Sequence, residues 1–177
     1  LKKVCSIIGI ILSFFIIYFL DISFFSWFNI AGIKPNLFIV LVLVTGLFGG
    51  KKVGLIVGII IGLYLDILIG KSVGFTSILL MIIGFASGFF VKTFSKNSKI
   101  LIIIAVITST VFFEITTYIY NIIKFKGIFE FYIFFKILFI EIIFNSLLTI
   151  ILYPTIQKSG DFLEDVFKKN NISSHYF

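Results

Sequence analysis

The chain has no arginine, one cysteine, one histidine and two prolines among its 177 residues, and only 13% of them are charged. Each scarcity removes something. Without arginine there is no bidentate grip on guanine or phosphate, so the net charge of +7 does not argue for nucleic acid. With Cys5 alone no intrachain disulfide forms; Cys5 reads as a small buried hydrophobe, with acylation as the alternative. The single histidine, His175, lies in the last few residues. No Cys–His metal spacing exists, no serine has a base, and no phosphate-binding loop follows a strand. An ATPase is excluded, no cofactor or metal is expected, and an enzyme built on membrane-embedded carboxylates is the one catalytic option left.

What is present is apolar. Apolar residues make up 60% of the chain and the mean hydropathy is +1.22, against ~45–50% apolar and ~25% charged residues in a soluble domain. The excess covers the whole length, which reads as a polytopic membrane protein with one domain. Six apolar runs, 4–20, 36–48, 53–69, 73–90, 100–123 and 131–153, predict an all-α domain over 1–158 with six transmembrane helices. A short amphipathic tail over 159–177 follows. The second run has thirteen residues, about 20 Å of helix. It must thin the bilayer, borrow flanking residues or be shielded by protein. Pro35 suits its first turn.

All fifteen basic residues are lysines. With the N-terminus inside, ten fall in inner segments and four in outer loops, so the positive-inside rule puts both termini in the cytoplasm. Lys2 and Lys3 before an apolar run resemble a signal peptide, but no A-x-A-like site follows, and the run is expected to stay as the first helix. The segment 21–34, DISFFSWFNIAGIK, has four aromatics in fourteen residues. Such rings suit the membrane interface; a lid over an outward pocket is the alternative. In the tail, Asp161 and Glu164 have capping-box-like spacing, and Phe162, Leu163, Val166 and Phe167 share a face, which predicts a surface or partner-bound helix. Beyond Lys169 the chain is expected to fray.

The third run carries Gly54, Gly58 and Gly62 on one slowly turning row, with Gly70 and Gly74 beyond it. Such rows let helix backbones approach closely in lipid. The row predicts tight helix packing or a seat for another protein's single span. Gly46 and Gly50 precede it, and Gly84 and Gly88 lie in the fourth run. Asp66 takes the place of the next glycine. It is expected to fix the turn between the third and fourth spans by accepting backbone N–H groups, capping the fourth helix around Ser72, or else to touch a ligand or partner. Glu114, Lys136 and Glu141 are intramembrane polar residues; these are functional by default or hold helices together. Lys136 and Glu114 have similar depths and would pair if their helices touched.

The stretch KPNLFIVLVLVTGLFGGKKVGLIVGIIIGLYLDILIGKSVGF resembles the signature region of the MreD family of bacterial rod-shape-determining membrane proteins. Lys34, Pro35 and Asn36 match its helix opening, Lys51 and Lys52 its basic inner turn, and Gly54, Gly58, Gly62, Asp66, Gly70 and Gly74 its spaced glycines and aspartate. The family often has Asp where this chain has Asn36. The resemblance implies a noncatalytic scaffold of lateral-wall elongation in the bacterial cytoplasmic membrane. It implies an MreC-like bitopic partner and, through it, an actin-like filament protein and peptidoglycan synthases. It also implies a fold similar to the substrate-binding S components of energy-coupling-factor vitamin transporters. That similarity supplies the rival function, an S component itself. Such subunits often carry an Ala-x-x-x-Ala docking row in the first span, whereas this first span, VCSIIGIILSFFIIYFL, has no alanine; Ser6, Gly9 and Ser13 are its small residues.

Overall fold

The computed structural model describes residues 2–69, 74–93, 99–126 and 130–167. Gly70, Ser72 and the tail beyond 167 lie outside the described residues. Within them the chain is helical: α1 (Lys2–Ile22), α2 (Phe24–Trp27), α3 (Leu37–Gly49), α4 (Lys51–Ile69), α5 (Phe75–Thr93), α6 (Lys99–Phe125) and α7 (Phe131–Phe167). The described residues hold no strand, only an isolated bridge between Ile30 and Ile33. Unbroken apolar sequence favours helices because a helix satisfies its own backbone polar groups where no water can. Among the described residues, three helices are long and apolar enough to cross a membrane, Val4–Trp27, Lys99–Phe125 and Phe131–Leu163; Leu37–Gly49 and Phe75–Phe89 are apolar but shorter. These features fit a membrane protein.

The short second run becomes the centre of the molecule. Twelve of the thirteen residues of α3 are buried, so its length is accommodated by surrounding protein. Gly50, at φ +90°, reverses the chain in a conformation that favours glycine, and α4 returns antiparallel with Gly54 beside Gly46. α5 runs antiparallel to α4, facing Gly84 to Gly54, Leu80 to Gly58 and Ser77 to Gly62. α6 and α7 are antiparallel, joined at Thr110 and Asn145. α3 and α7 are parallel: the Asn36 N–H meets Asn145, and the Phe48 ring meets Gly160. α1 lies parallel to α4, with Phe14 edge-on to Tyr64. Cys5 is exposed on α1 and not buried, because α1 buries only a narrow stripe against its neighbours.

The expected boundary position, 158/159, falls inside a helix. α7 continues through Pro154 to Phe167, and Leu163 and Val166 are buried. Part of the apolar face expected to lie on a membrane surface or a partner is used by the chain's own core: Leu163 joins it, while Phe162 is 42% exposed. Segment 21–34 is also more ordered than an interfacial loop. It forms α2, buries Phe25 against Phe144 and closes a tight turn at Ala31 and Gly32, both at positive φ. Asn29 Oδ1 accepts the Gly32 N–H at 3.0 Å, while Trp27 is 89% exposed, as an interfacial ring would be.

Candidate functional site

The glycine row builds the first part of the site. A Cβ on Gly54 would run into the Gly84 carbonyl, one on Gly58 into the Leu80 carbonyl, and one on Gly62 into the Ser77 backbone. From the facing side, Gly84 lies against the Gly54 carbonyl, Gly88 against the Lys51 backbone and Gly46 against Gly84. Backbone thus packs on backbone across α3, α4 and α5, the contact that small residues permit. The Ser77 hydroxyl adds an interhelical bond to the Ile59 carbonyl at 3.1 Å. The row is filled by the chain's own α5, which leaves no room on it for another protein's span.

Asp66 closes the same unit at its far end. Its side chain is buried, and it accepts the N–H of Gly74 at 2.8 Å, of Thr76 at 3.2 Å and of Ser77 at 3.2 Å. The first amides of a helix have no partners within it, and a carboxylate suits the positive end of the helix dipole. α4 therefore caps α5 from outside its own sequence. Gly74, at φ +96°, makes the turn that presents its N–H. The bonds fall at 74–77, past Ser72.

The second part of the site joins α3, α6 and α7. Asn36 acts through its backbone: its N–H donates to Asn145 Oδ1 at 2.8 Å, and its side chain makes no capping bond. The Asn145 amide nitrogen donates to the Thr110 hydroxyl at 3.0 Å. Asn145, Thr110 and Thr149 are fully or almost fully enclosed, and the Thr149 hydroxyl bonds the Asn145 carbonyl at 2.6 Å. Neither Asn145 nor Thr110 stood out in the sequence. No motif marks them; the signal available was spacing, since Thr110 lies four residues before Glu114, and Asn145 lies four after Glu141 and four before Thr149, one face of each helix.

Glu114 and Glu141 face one another across α6 and α7, with Asn145 beside Glu141. The expected pairing of Glu114 with Lys136 is absent: Lys136 is exposed, on the far side of α7 from the carboxyl pair.

Both parts border one cavity of about 400 Å³, lined by Asp66, Asn36, Glu114 and Glu141, with Asp21 and Lys34 at its edge. Phe75 and Tyr120, stacked at 3.9 Å between centroids, form one wall. Lys34 Nζ donates to the Asp21 carbonyl at 3.1 Å and to the Ser26 hydroxyl at 3.2 Å, holding the 21–34 segment over this end. Pro35 is buried beneath it. The arrangement can hold a helix end and present a polar recess lined by carboxyl and amide groups. Among the described residues no group of three or more His, Cys, Asp or Glu is placed to hold a metal.

The sequence model of the rod shape-determining protein MreD matches residues 3–159. Neither the curated proteins nor the solved structures give a match.

Proposed function

The chain belongs to the MreD family of rod shape-determining proteins, and from that premise we propose that it is a membrane scaffold of the cell-shape machinery, acting by binding rather than by chemistry. The family's role is in rod shape determination, and it is a noncatalytic family. On this reading the chain is a multi-pass protein of the bacterial cytoplasmic membrane with six spans, formed by α1 and α3–α7, and both termini inside. The alternating direction of those helices supports this count. The fold would then be similar to that of the S components. The chain binds an MreC-like bitopic protein and, through it, an actin-like filament protein and peptidoglycan synthases.

The carrying observation is that the family match encloses the whole α3–α5 unit, whose glycines pack backbone on backbone and whose end Asp66 caps. We assign Gly54, Gly58, Gly62, Gly74, Asp66, Pro35 and Asn36 to the rigid frame. Partner contact then belongs to its outward surfaces. Glu114 and Glu141 are assigned to the recess and Lys136 to the outer face of α7. The test is a mild-detergent pull-down of the tagged protein from native membranes. Recovery of a bitopic MreC-like protein with wall synthases supports the scaffold. The polar recess favours a second reading, capture of a small molecule by an S component; recovery of a coupling subunit with two ATPases would establish that one instead.

A further inference from the structure

Between α1 and α4 lies a second cavity of about 500 Å³, with a wholly apolar lining that includes Ile7, Ile11, Phe15, Ile56 and Ile60. α1 packs on α2, α3 and α7 and stands off α4 along this stretch. At the Asp66 end the gap is closed by rings: Tyr64 meets Phe14 at 5.0 Å and Tyr18 at 6.1 Å between centroids. At the other end α4 begins with Lys51 and Lys52, and α1 begins with Lys2 and Lys3. Lys51 rests on the Phe89 ring, 3.1 Å from its centroid, while Lys52 is exposed.

Size decides what fits. From Val53 to Tyr64 the groove is about 17 Å long at the helical rise. Its volume of about 500 Å³ is well below the roughly 1,300–1,900 Å³ that ~17 Å of a helix ~10–12 Å across occupies. The groove cannot enclose a partner's span or a second copy's helix, whereas one extended hydrocarbon chain can lie within it. Charge decides the headgroup. The start of α4 carries the exposed Lys52 and the positive end of the helix, which attract an anionic phosphate; the blind end is aromatic and apolar.

We propose that the α1–α4 groove binds one acyl chain of an anionic phospholipid, with its phosphate beside Lys52. The inference needs only that the chain lies in a bilayer and is independent of its role in cell shape.

The protein is reconstituted into bilayers of phosphatidylcholine and phosphatidylglycerol, extracted into lipid-free detergent, and its retained lipid identified by native mass spectrometry. The expected result is stoichiometric retention of phosphatidylglycerol over phosphatidylcholine. Lys52→Gln lowers that preference about fivefold, the effect of one lysine near a charged membrane surface. Ile60→Trp fills the groove from an exposed position and abolishes retention, with the helical circular dichroism unchanged. Equal retention of the two lipids by the unaltered chain overturns the headgroup assignment, and undiminished retention in folded Ile60→Trp overturns the groove. A co-purifying single-span helix that displaces the lipid overturns the occupant. Should Ile60→Trp fail to fold, Lys52→Gln, an exposed change, still decides the matter through the lipid preference.

Discussion

At the residue scale, removing a buried polar group that holds a partner has a calculable direction. Asp66→Ala leaves the N–H groups of Gly74, Thr76 and Ser77 without their acceptor. An orphaned buried donor costs about 1–3 kcal/mol, so unfolding in detergent, followed by circular dichroism, should show a loss of that order or somewhat more. Asp66→Asn keeps one acceptor oxygen and should lose less; equal losses would mean that the carboxylate does not cap α5. Asn145→Leu strips partners from the Asn36 N–H and the Thr110 hydroxyl together and should cost about 2–4 kcal/mol by the same reasoning. Lys136→Met, on an exposed position, should leave the unfolding midpoint unchanged. The sequence shows that Asp66 is special, because a carboxylate interrupts a glycine row. It shows less about Lys136: Glu141, Asn145 and Thr149 make a polar stripe in its run, and Lys136, five residues before Glu141, lies off it, but nothing beside it tells whether lipid or protein covers that face.

At the element scale, the spacing of glycines announces a close contact but not the helix that makes it. Gly54, Gly58 and Gly62 could equally have met another protein. Only the fold reveals that Gly84, Leu80 and Ser77 of α5 fill the row. Gly58→Ala adds a methyl that meets the Leu80 carbonyl. Backbone cannot step aside as a flexible side chain can, and overpacking of this kind costs about 1–3 kcal/mol. Gly58→Leu should prevent accumulation of folded protein altogether. Gly9→Ala is the control, since a Cβ there has nothing within 4 Å; its unfolding midpoint should match or exceed that of the unaltered chain, because alanine favours helix over glycine by about 1 kcal/mol. If Gly58→Ala behaves like Gly9→Ala, α4 and α5 do not pack as described. The end of α7 was not legible for a related reason. Leu163 and Val166 make an apolar face in the sequence, and a face alone does not say whether membrane, partner or the chain's own core will cover it.

At the scale of the whole molecule, the helix lengths pose a problem that the packing answers. α3 has thirteen residues, about 20 Å of helix, against a hydrocarbon core of ~30 Å. Its parallel neighbour α7 gives a ruler: Phe48 is level with Gly160, and Asn36 with Asn145. Asn145 lies fourteen residues beyond the start of α7 at Phe131, about 21 Å along its axis. The shortfall of α3 therefore falls at the Asp66 end, where the cavity and the 21–34 segment take up the space. The Gly50 turn reaches the level of the last turns of α7. Six crossings then require one crossing between Ser26 and Lys52, by α3, and four between Lys52 and Ser159, by α4 to α7. In a Cys5→Ser background, Ser26→Cys should react with a membrane-impermeant thiol reagent in intact cells, while Lys52→Cys and Ser159→Cys react only after the cells are opened. Labelling of Lys52→Cys in intact cells would make α3 and α4 a re-entrant hairpin entered from outside, and the six-span reading would fall.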